Sequence, residues 1–210
     1  RFKCDWSSDV CSSDLPVVGN HEYETPGAEP YFTSFGASAG PAGLGYYSFD
    51  LGAWHVVVLN SSAPVGPGSV QAAWLRADLA SSRSLCTLAA WHHPRYSSGR
   101  HGNTGEMRAM WQELYNAGAD IVLSGHDHDY ERFAPQDADG GLDGARGVRQ
   151  FVVGTGGAVP TPFGAVAANS EVRLGGTLGV LKLTLSPSGY NWEFLTPGAG
   201  VADAGAATCH

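Results

Sequence analysis

Two histidines one residue apart, set directly after an apolar run and a glycine, constrain this chain more than any other feature. The stretch is Leu123-Ser124-Gly125-His126-Asp127-His128-Asp129-Tyr130-Glu131-Arg132. Ala119 to Leu123 has the length and composition of a buried strand. Gly125 lets the backbone turn sharply or approach another group closely. On extended backbone, the spacing of His126 and His128 puts both imidazoles on one side. Neutral imidazole is the commonest metal-ligating side chain, and Asp127, Asp129 and Glu131 are placed to accept a ring N–H. Alone, the stretch also fits a strand end with two solvated histidines, so the rest of the chain has to decide.

The same arrangement recurs twice. Leu85 to Trp91 reads as a strand that delivers His92-His93-Pro94-Arg95-Tyr96 into a loop, with Pro94 ending the strand. Pro16-Val17-Val18 reads as a short strand stub running into Gly19-Asn20-His21-Glu22. An Asn side-chain oxygen is a workable metal ligand, and the adjacent His21 is of the right type to protonate a leaving oxygen. Taken singly, Gly-Asn-His is ordinary turn chemistry. Three such strand ends together are hard to explain as independent solvated turns.

Between them the chain alternates strands and helices. Thr25 to Gly45 reads as a long loop over the site, with Tyr31, Phe32 and Phe35 spaced as a short helical patch. Tyr46–Leu51 and Trp54–Asn60 read as a hairpin about Leu51-Gly52-Ala53, with His55 a core or surface histidine without a partner motif. Ser69 is placed to cap a helix running to about Ala80, with Val70, Ala73, Trp74 and Ala77 as its core stripe. A second helix is expected to open with a capping box from Asn103 to Glu106. Its apolar face is Met107, Met110, Trp111, Leu114 and Tyr115, and Gly118 ends it. Arg149–Gly154 reads as a strand entering Thr155-Gly156-Gly157, which lacks the Lys and following helix of a phosphate-binding loop and is read as structural. Leu178–Leu185 and Tyr190–Leu195 form a hairpin about Pro187-Ser188-Gly189, and the segment after Pro197 is expected to be extended. The class is therefore α/β, with polar groups gathered at the C-terminal ends of largely parallel strands.

Composition limits the partners. The 210 residues, 43% apolar, suffice for one domain or most of one. No apolar run approaches the roughly 20 residues that span a bilayer, so no membrane crossing is expected. A net charge of −8 without a Lys/Arg-rich run argues against duplex nucleic acid. It also suits an anionic substrate only if bound cations reverse the local sign.

Cys4 to Leu15 lacks strand alternation, helical periodicity and a secretory apolar core. Every residue of the run fits one reading frame of a common sequencing-adapter oligonucleotide, so residues 1–15 are read as adapter-derived. The alternative is a small loop closed by Cys4 and Cys11. On the adapter reading an N-terminal portion is expected to be missing, 16–197 is the C-terminal portion of a domain, and 198–210 is a Gly/Ala-rich tail. Two cysteines then remain, Cys86 and Cys209. An even pair suggests a disulfide and an exported protein, secreted or periplasmic; the alternative is a buried thiol at Cys86 and a free one at Cys209.

Gly19-Asn20-His21-Glu22, His92-His93-Pro94-Arg95-Tyr96 and Gly125-His126-Asp127-His128-Asp129-Tyr130-Glu131-Arg132 resemble the last three metal-site motifs of the calcineurin-like metallophosphoesterases. The Tyr-Glu-Arg extension and the His-x-Pro-x-Tyr loop are closer to the purple acid phosphatase-like branch. The resemblance covers Pro16 to about Thr196 and implies a four-layer α-β-β-α sandwich. It implies a phosphomonoesterase using a metal-bound hydroxide between two metal ions (Zn, Fe or Mn), with a small phosphate ester as substrate. The runner-up is a phosphodiesterase or nucleotidase of the same fold; for this chain alone, it is a non-catalytic metal-binding fragment. Matched by position, Asn20, His92 and His126 resemble ligands of one metal and His128 a ligand of the other. His92 rather than His93 fits the His-x-Pro spacing. His21 resembles the histidine that contacts the phosphoryl group and protonates the leaving group, and His101 lies where relatives place a substrate-facing histidine. Two earlier Asp-containing motifs of the family have no counterpart here.

Overall fold

The computed structural model describes residues 15–198 and 200–210. The adapter-like run up to Asp14, with Cys4 and Cys11, lies outside the described residues.

Among the described residues, ten strands form two sheets. Strands β1 (Tyr47–Leu51), β2 (Trp54–Val58), β3 (Cys86–Ala90), β4 (Ile121–Ser124), β5 (Tyr130–Phe133), β6 (Arg149–Val153) and β7 (Ser170–Leu174) make a mixed sheet in the order β1-β2-β3-β4-β6-β5-β7. Its centre, β2-β3-β4-β6, is parallel. Strands β8 (Val180–Ser186), β9 (Gly189–Thr196) and β10 (Gly200–Thr208) form a second, antiparallel sheet. The extended segment after Pro197 is thus β10, paired along β9.

Alternation along the central strands feeds two cores. Val57, Ala89, Val122 and Val152 face helices α2 (Val70–Ser81) and α3 (Arg108–Asn116), packing with Leu75, Met110, Trp111 and Leu114. Val56, Leu88, Ile121 and Phe151 face the second sheet and meet Tyr190, Trp192 and Phe194 of β9. Helices, large sheet and small sheet therefore stack in that order. A short helix, α1 (Glu29–Phe35), carries the aromatic patch and packs with Val18, Ala28 and Ala39.

Four local expectations are corrected. Pro16–Val18 is not a strand, although Val18 is fully buried and Pro16 O accepts from the Tyr47 hydroxyl. In α2, Ser69 caps as expected, accepting from the Ala72 N–H, but Val70, Ala73 and Ala77 are exposed. The buried face is Gln71, Ala72 and Leu75, because on an Ala-rich helix the larger Leu side chain gains more from burial than Ala can. Asn103 does not cap α3: its Oδ1 accepts from the Ser97 N–H at 2.8 Å, and a 3-10 turn, Gly105–Met107, leads into the helix instead. His55 has partners after all. It is buried between Asp50 and Asp78, 2.8 and 2.9 Å from its two ring nitrogens.

Candidate metal centre

The C-terminal ends of the parallel strands converge. β3 leads through Trp91 to His92, β4 runs into Gly125-His126, β2 leads to Asn60 and Ser61, and Asn20 lies in the turn after Gly19. His92 Nε2 is 2.7 Å from Asn20 Oδ1 and 3.1 Å from His126 Nδ1, and His126 Nδ1 is 3.2 Å from Asn20 Oδ1. One amide oxygen and two imidazole nitrogens thus form a nearly equilateral triangle. Bonds of about 2.1 Å at right angles to one cation would put neighbouring donors about 3.0 Å apart. The triangle matches one face of such a shell.

The imidazoles are in the form a metal needs. Burial, then the neighbouring charges of His93 and His126, push His92 down to about 3. Burial with His93 and His101 pushes His126 down to about 4. Both rings are neutral at pH 7, each with a lone pair for a cation.

Close backbone approach builds the triangle. A Cβ on Gly19 would lie 2.8 Å from His92 Nδ1, so only glycine fits against that ring. His126 adopts φ +67°, the left-handed region, which costs a non-glycine residue about 1–3 kcal/mol. This corrects the expectation of an extended His-x-His. The chain turns at Gly125–Asp127, where Asp127 N–H donates to Gly125 O, and strand alternation does not set the two rings. His126 joins His92 and Asn20, whereas His128 Nδ1 lies 2.9 Å from Val159 O. A carbonyl can only accept, so this contact puts a proton on Nδ1; in the neutral ring Nε2 of His128 then keeps its lone pair.

The acidic neighbours act differently from expectation. Asp127 serves neither His126 nor His128. Fully buried, it accepts from Ser97 Oγ and the His101 N–H, and its Oδ1 lies 2.8 Å from His101 Nδ1. Glu131, also buried, accepts from Ser98 and Ser170. Burial, then Asp127 and Glu131, push the Asp129 carboxyl up to about 7.

His93 borders the triangle: one of its ring nitrogens lies within 4.8 Å of nitrogens of His92 and His126. Its Nδ1 is 2.8 Å from Ser61 Oγ, and its ring packs edge-on against both His92 and His126. Burial, then the charge of His101, lowers its pKa. The ring of His101 lies 4.1 Å from that of His126. His21 stands apart and open, 72% exposed at its side chain, with Nδ1 2.7 Å from Glu24 Oε1.

Comparison with known proteins fixes the lineage. The calcineurin-like phosphoesterase family matches residues 8–130. The chain belongs to the calcineurin-like phosphoesterase family. Within it, the chain is similar to purple acid phosphatase 15 of Arabidopsis thaliana, 36% identical over 131 residues, 56% of this chain and 25% of that protein. It is 35% identical to purple acid phosphatase 21 of the same plant over 137 residues, 58% of this chain and 31% of that one. The fold matches purple acid phosphatase PPD1 from yellow lupin (Lupinus luteus) seeds with a TM-score of 0.76 at 22% identity, covering 86% of this chain and 35% of that one. The chain therefore spans about a quarter to a third of the length of these relatives.

In this calcineurin-like phosphoesterase, Asn20, His92 and His126 are brought together, His128 and His101 border them, and His21 is exposed nearby in sequence. Ser61, Ser97 and the Val159 carbonyl escaped the sequence reading. Val159 contributes only backbone, which leaves no residue-type signal, and the two serines lie in loops rich in serine.

Proposed function

We propose that this chain carries metal-ligating and substrate-facing residues of a phosphomonoesterase that works with two metal ions. The observation that supports it is the triangle of Asn20 Oδ1, His92 Nε2 and His126 Nδ1, with edges of 2.7, 3.1 and 3.2 Å. On this reading those residues hold one metal, His128 serves the other through Nε2, and zinc, iron and manganese all suit the N/O donors. Bound cations at such a site lower the pKa of a water and offset phosphoryl charge.

The remaining roles fall to the protein's own groups. His21, with Nδ1–H donating to Glu24, gives the Nε2 proton to the leaving oxygen when its ring is doubly protonated. Asp127 fixes the His101 ring by accepting from Nδ1–H, so that in the doubly protonated ring Nε2–H is presented to a phosphoryl oxygen. His93, held by Ser61, fills the space beside both ligand rings and stops them from rotating. A small phosphate ester is the substrate class, since the cations supply the positive charge that the net charge of −8 withholds.

A phosphodiester or nucleotide substrate is the alternative within the class. For this chain by itself, a metal-binding role without turnover is favoured by one observation: three donors meet at the first site, and His128 alone is assigned to the second. The Cys86–Cys209 disulfide supports export. Hydrolysis of an aryl phosphate that is lost in His92→Ala and His126→Ala, compared with a bis-aryl phosphodiester, tests activity and substrate class together. Rates unchanged by either substitution would contradict the assignment.

A further inference from the structure

At the end of β3 away from His92, roughly 20 Å along the strand, a second set of metal-type donors meets. Cys86 Sγ, Cys209 Sγ and an Asp120 carboxylate oxygen all lie within 4.8 Å of one another. Cys86 opens β3 and is fully buried; Asp120 lies just before β4 and is 3% exposed. The carboxylate is held from two sides: Oδ2 accepts from the Thr87 N–H at 2.8 Å, and Oδ1 from the His210 N–H at 2.9 Å. Each oxygen keeps a further lone pair. The His210 ring is loosely placed beside it, with Nδ1 3.4 Å from both Asp120 Oδ1 and Gly118 O. Those contacts are beyond the usual range of a firm hydrogen bond, so the nitrogen is open to a better partner.

We propose that, once its disulfide is reduced, the Cys86–Cys209 pair joins Asp120 and His210 in a tetrahedral zinc site. Two thiolates, one imidazole and one carboxylate complete the four-ligand shell of structural zinc, and sulfur selects zinc over magnesium or calcium. Zinc–sulfur bonds of about 2.3 Å put tetrahedral thiolates about 3.8 Å apart, so the sulfurs must separate. Cys209 can supply that movement. It follows β10, where its N–H donates to Ser188 O at 3.0 Å, whereas Cys86 is fixed within the sheet.

The chemistry balances with a dithiol as reductant. The S–S bond takes two electrons and two protons from the dithiol, which becomes a disulfide. Zinc then displaces both thiol protons to solvent and binds the neutral His210 ring. The two states exclude each other, yet each ties the end of β10 to β3: covalently when oxidised, through the metal when reduced.

Cobalt(II) titrated into the protein after reduction with a phosphine tests this. The expected result is a thiolate-to-cobalt absorption band that saturates at one equivalent and that zinc abolishes. The band should be absent from the oxidised protein and from Cys86→Ser/Cys209→Ser. Asp120→Asn, which leaves both cysteines in place, should weaken the cobalt affinity about tenfold or more. The Asn20, His92 and His126 triangle contains no sulfur, so metal held there adds no such band. No band in the reduced protein, or one of undiminished affinity in Asp120→Asn, would overturn the proposal. If reduction alone melts the protein, zinc present during reduction must restore the native circular dichroism; a failure to do so overturns it as well.

Discussion

His92 Nε2 and His126 Nδ1 lie 3.1 Å apart although 34 residues separate them in the chain. The contact uses the Nδ1 of one ring and the Nε2 of the other. It exists because β3 and β4 are parallel neighbours whose ends the chain leaves in different ways: His92 continues from its strand, and His126 turns back through a left-handed conformation. Two neutral nitrogens with their lone pairs converging are stable together only with a proton or a cation between them.

If the triangle serves phosphoester hydrolysis, His92→Ala and His126→Ala in a protein that carries this chain should each remove most of the aryl phosphatase rate. His21→Ala should cost less, roughly 10²–10⁴-fold, as befits a lost proton donor. Steady-state kinetics on the three variants checks the order. A His21 variant as impaired as the ligand variants would argue against its role as acid.

The 127–129 turn depends on Gly154. Its N–H donates to Asp129 O at 3.0 Å, and a Cβ there would collide with the Asp127 carbonyl. Gly154→Ala should therefore lower stability by about 1–3 kcal/mol, the usual cost of forced overpacking. Gly156→Ala, where an added Cβ meets nothing within 4 Å, should be nearly neutral. Chemical denaturation of both variants provides the comparison.

How the sequence reads explains which parts were legible. The parallel strands, α3 and the β8–β9 hairpin follow from apolar runs and turn residues, which are local signals. The disulfide followed from counting: Cys86 and Cys209 have Cα atoms 5.5 Å apart. Two of the failures, at Asn103 and His55, come from tertiary partners of a side chain, and the His126 failure from a local backbone turn. Asn103 is a good cap by type, but the Ser97 N–H takes its oxygen. His-x-His suggests a strand until the Asp127-to-Gly125 turn forms. His55 gains Asp78 only when α2 docks on the sheet, a contact between residues 23 apart.

Removal of the disulfide should be costly. It closes a loop over a sequence separation of 123, which the chain-entropy account values at roughly 4–5 kcal/mol. Cys209→Ser should lower the denaturation midpoint by a corresponding amount. A midpoint within error of the parent would mean that β10 is held by pairing with β9 alone.

His55 gives stability a pH dependence. Burial opposes its charge, but the hydrogen bonds its ring N–H groups donate to Asp50 and Asp78, with those residues' negative charges, outweigh that and raise its pKa above 6.5. The folded state thus binds this proton more tightly than the unfolded one. The resulting stability is fully present below about pH 6.5 and lost as pH rises through the folded value. The gap in stability between the parent and His55→Gln should therefore narrow from pH 6 to pH 9. A gap constant over that range would show that His55 is neutral in the fold.

The most direct test of the account is the zinc content of the purified protein, disulfide intact, after dialysis against zinc and then metal-free buffer. On the proposed assignment Asn20, His92 and His126 would supply three ligands at one point, the number a tightly held zinc ion usually needs, and among the described residues only His128 is assigned to a second ion. The account predicts at most one tightly held ion per chain, lost in His92→Ala and in His126→Ala. Two tightly held ions, or one retained by both variants, would contradict it.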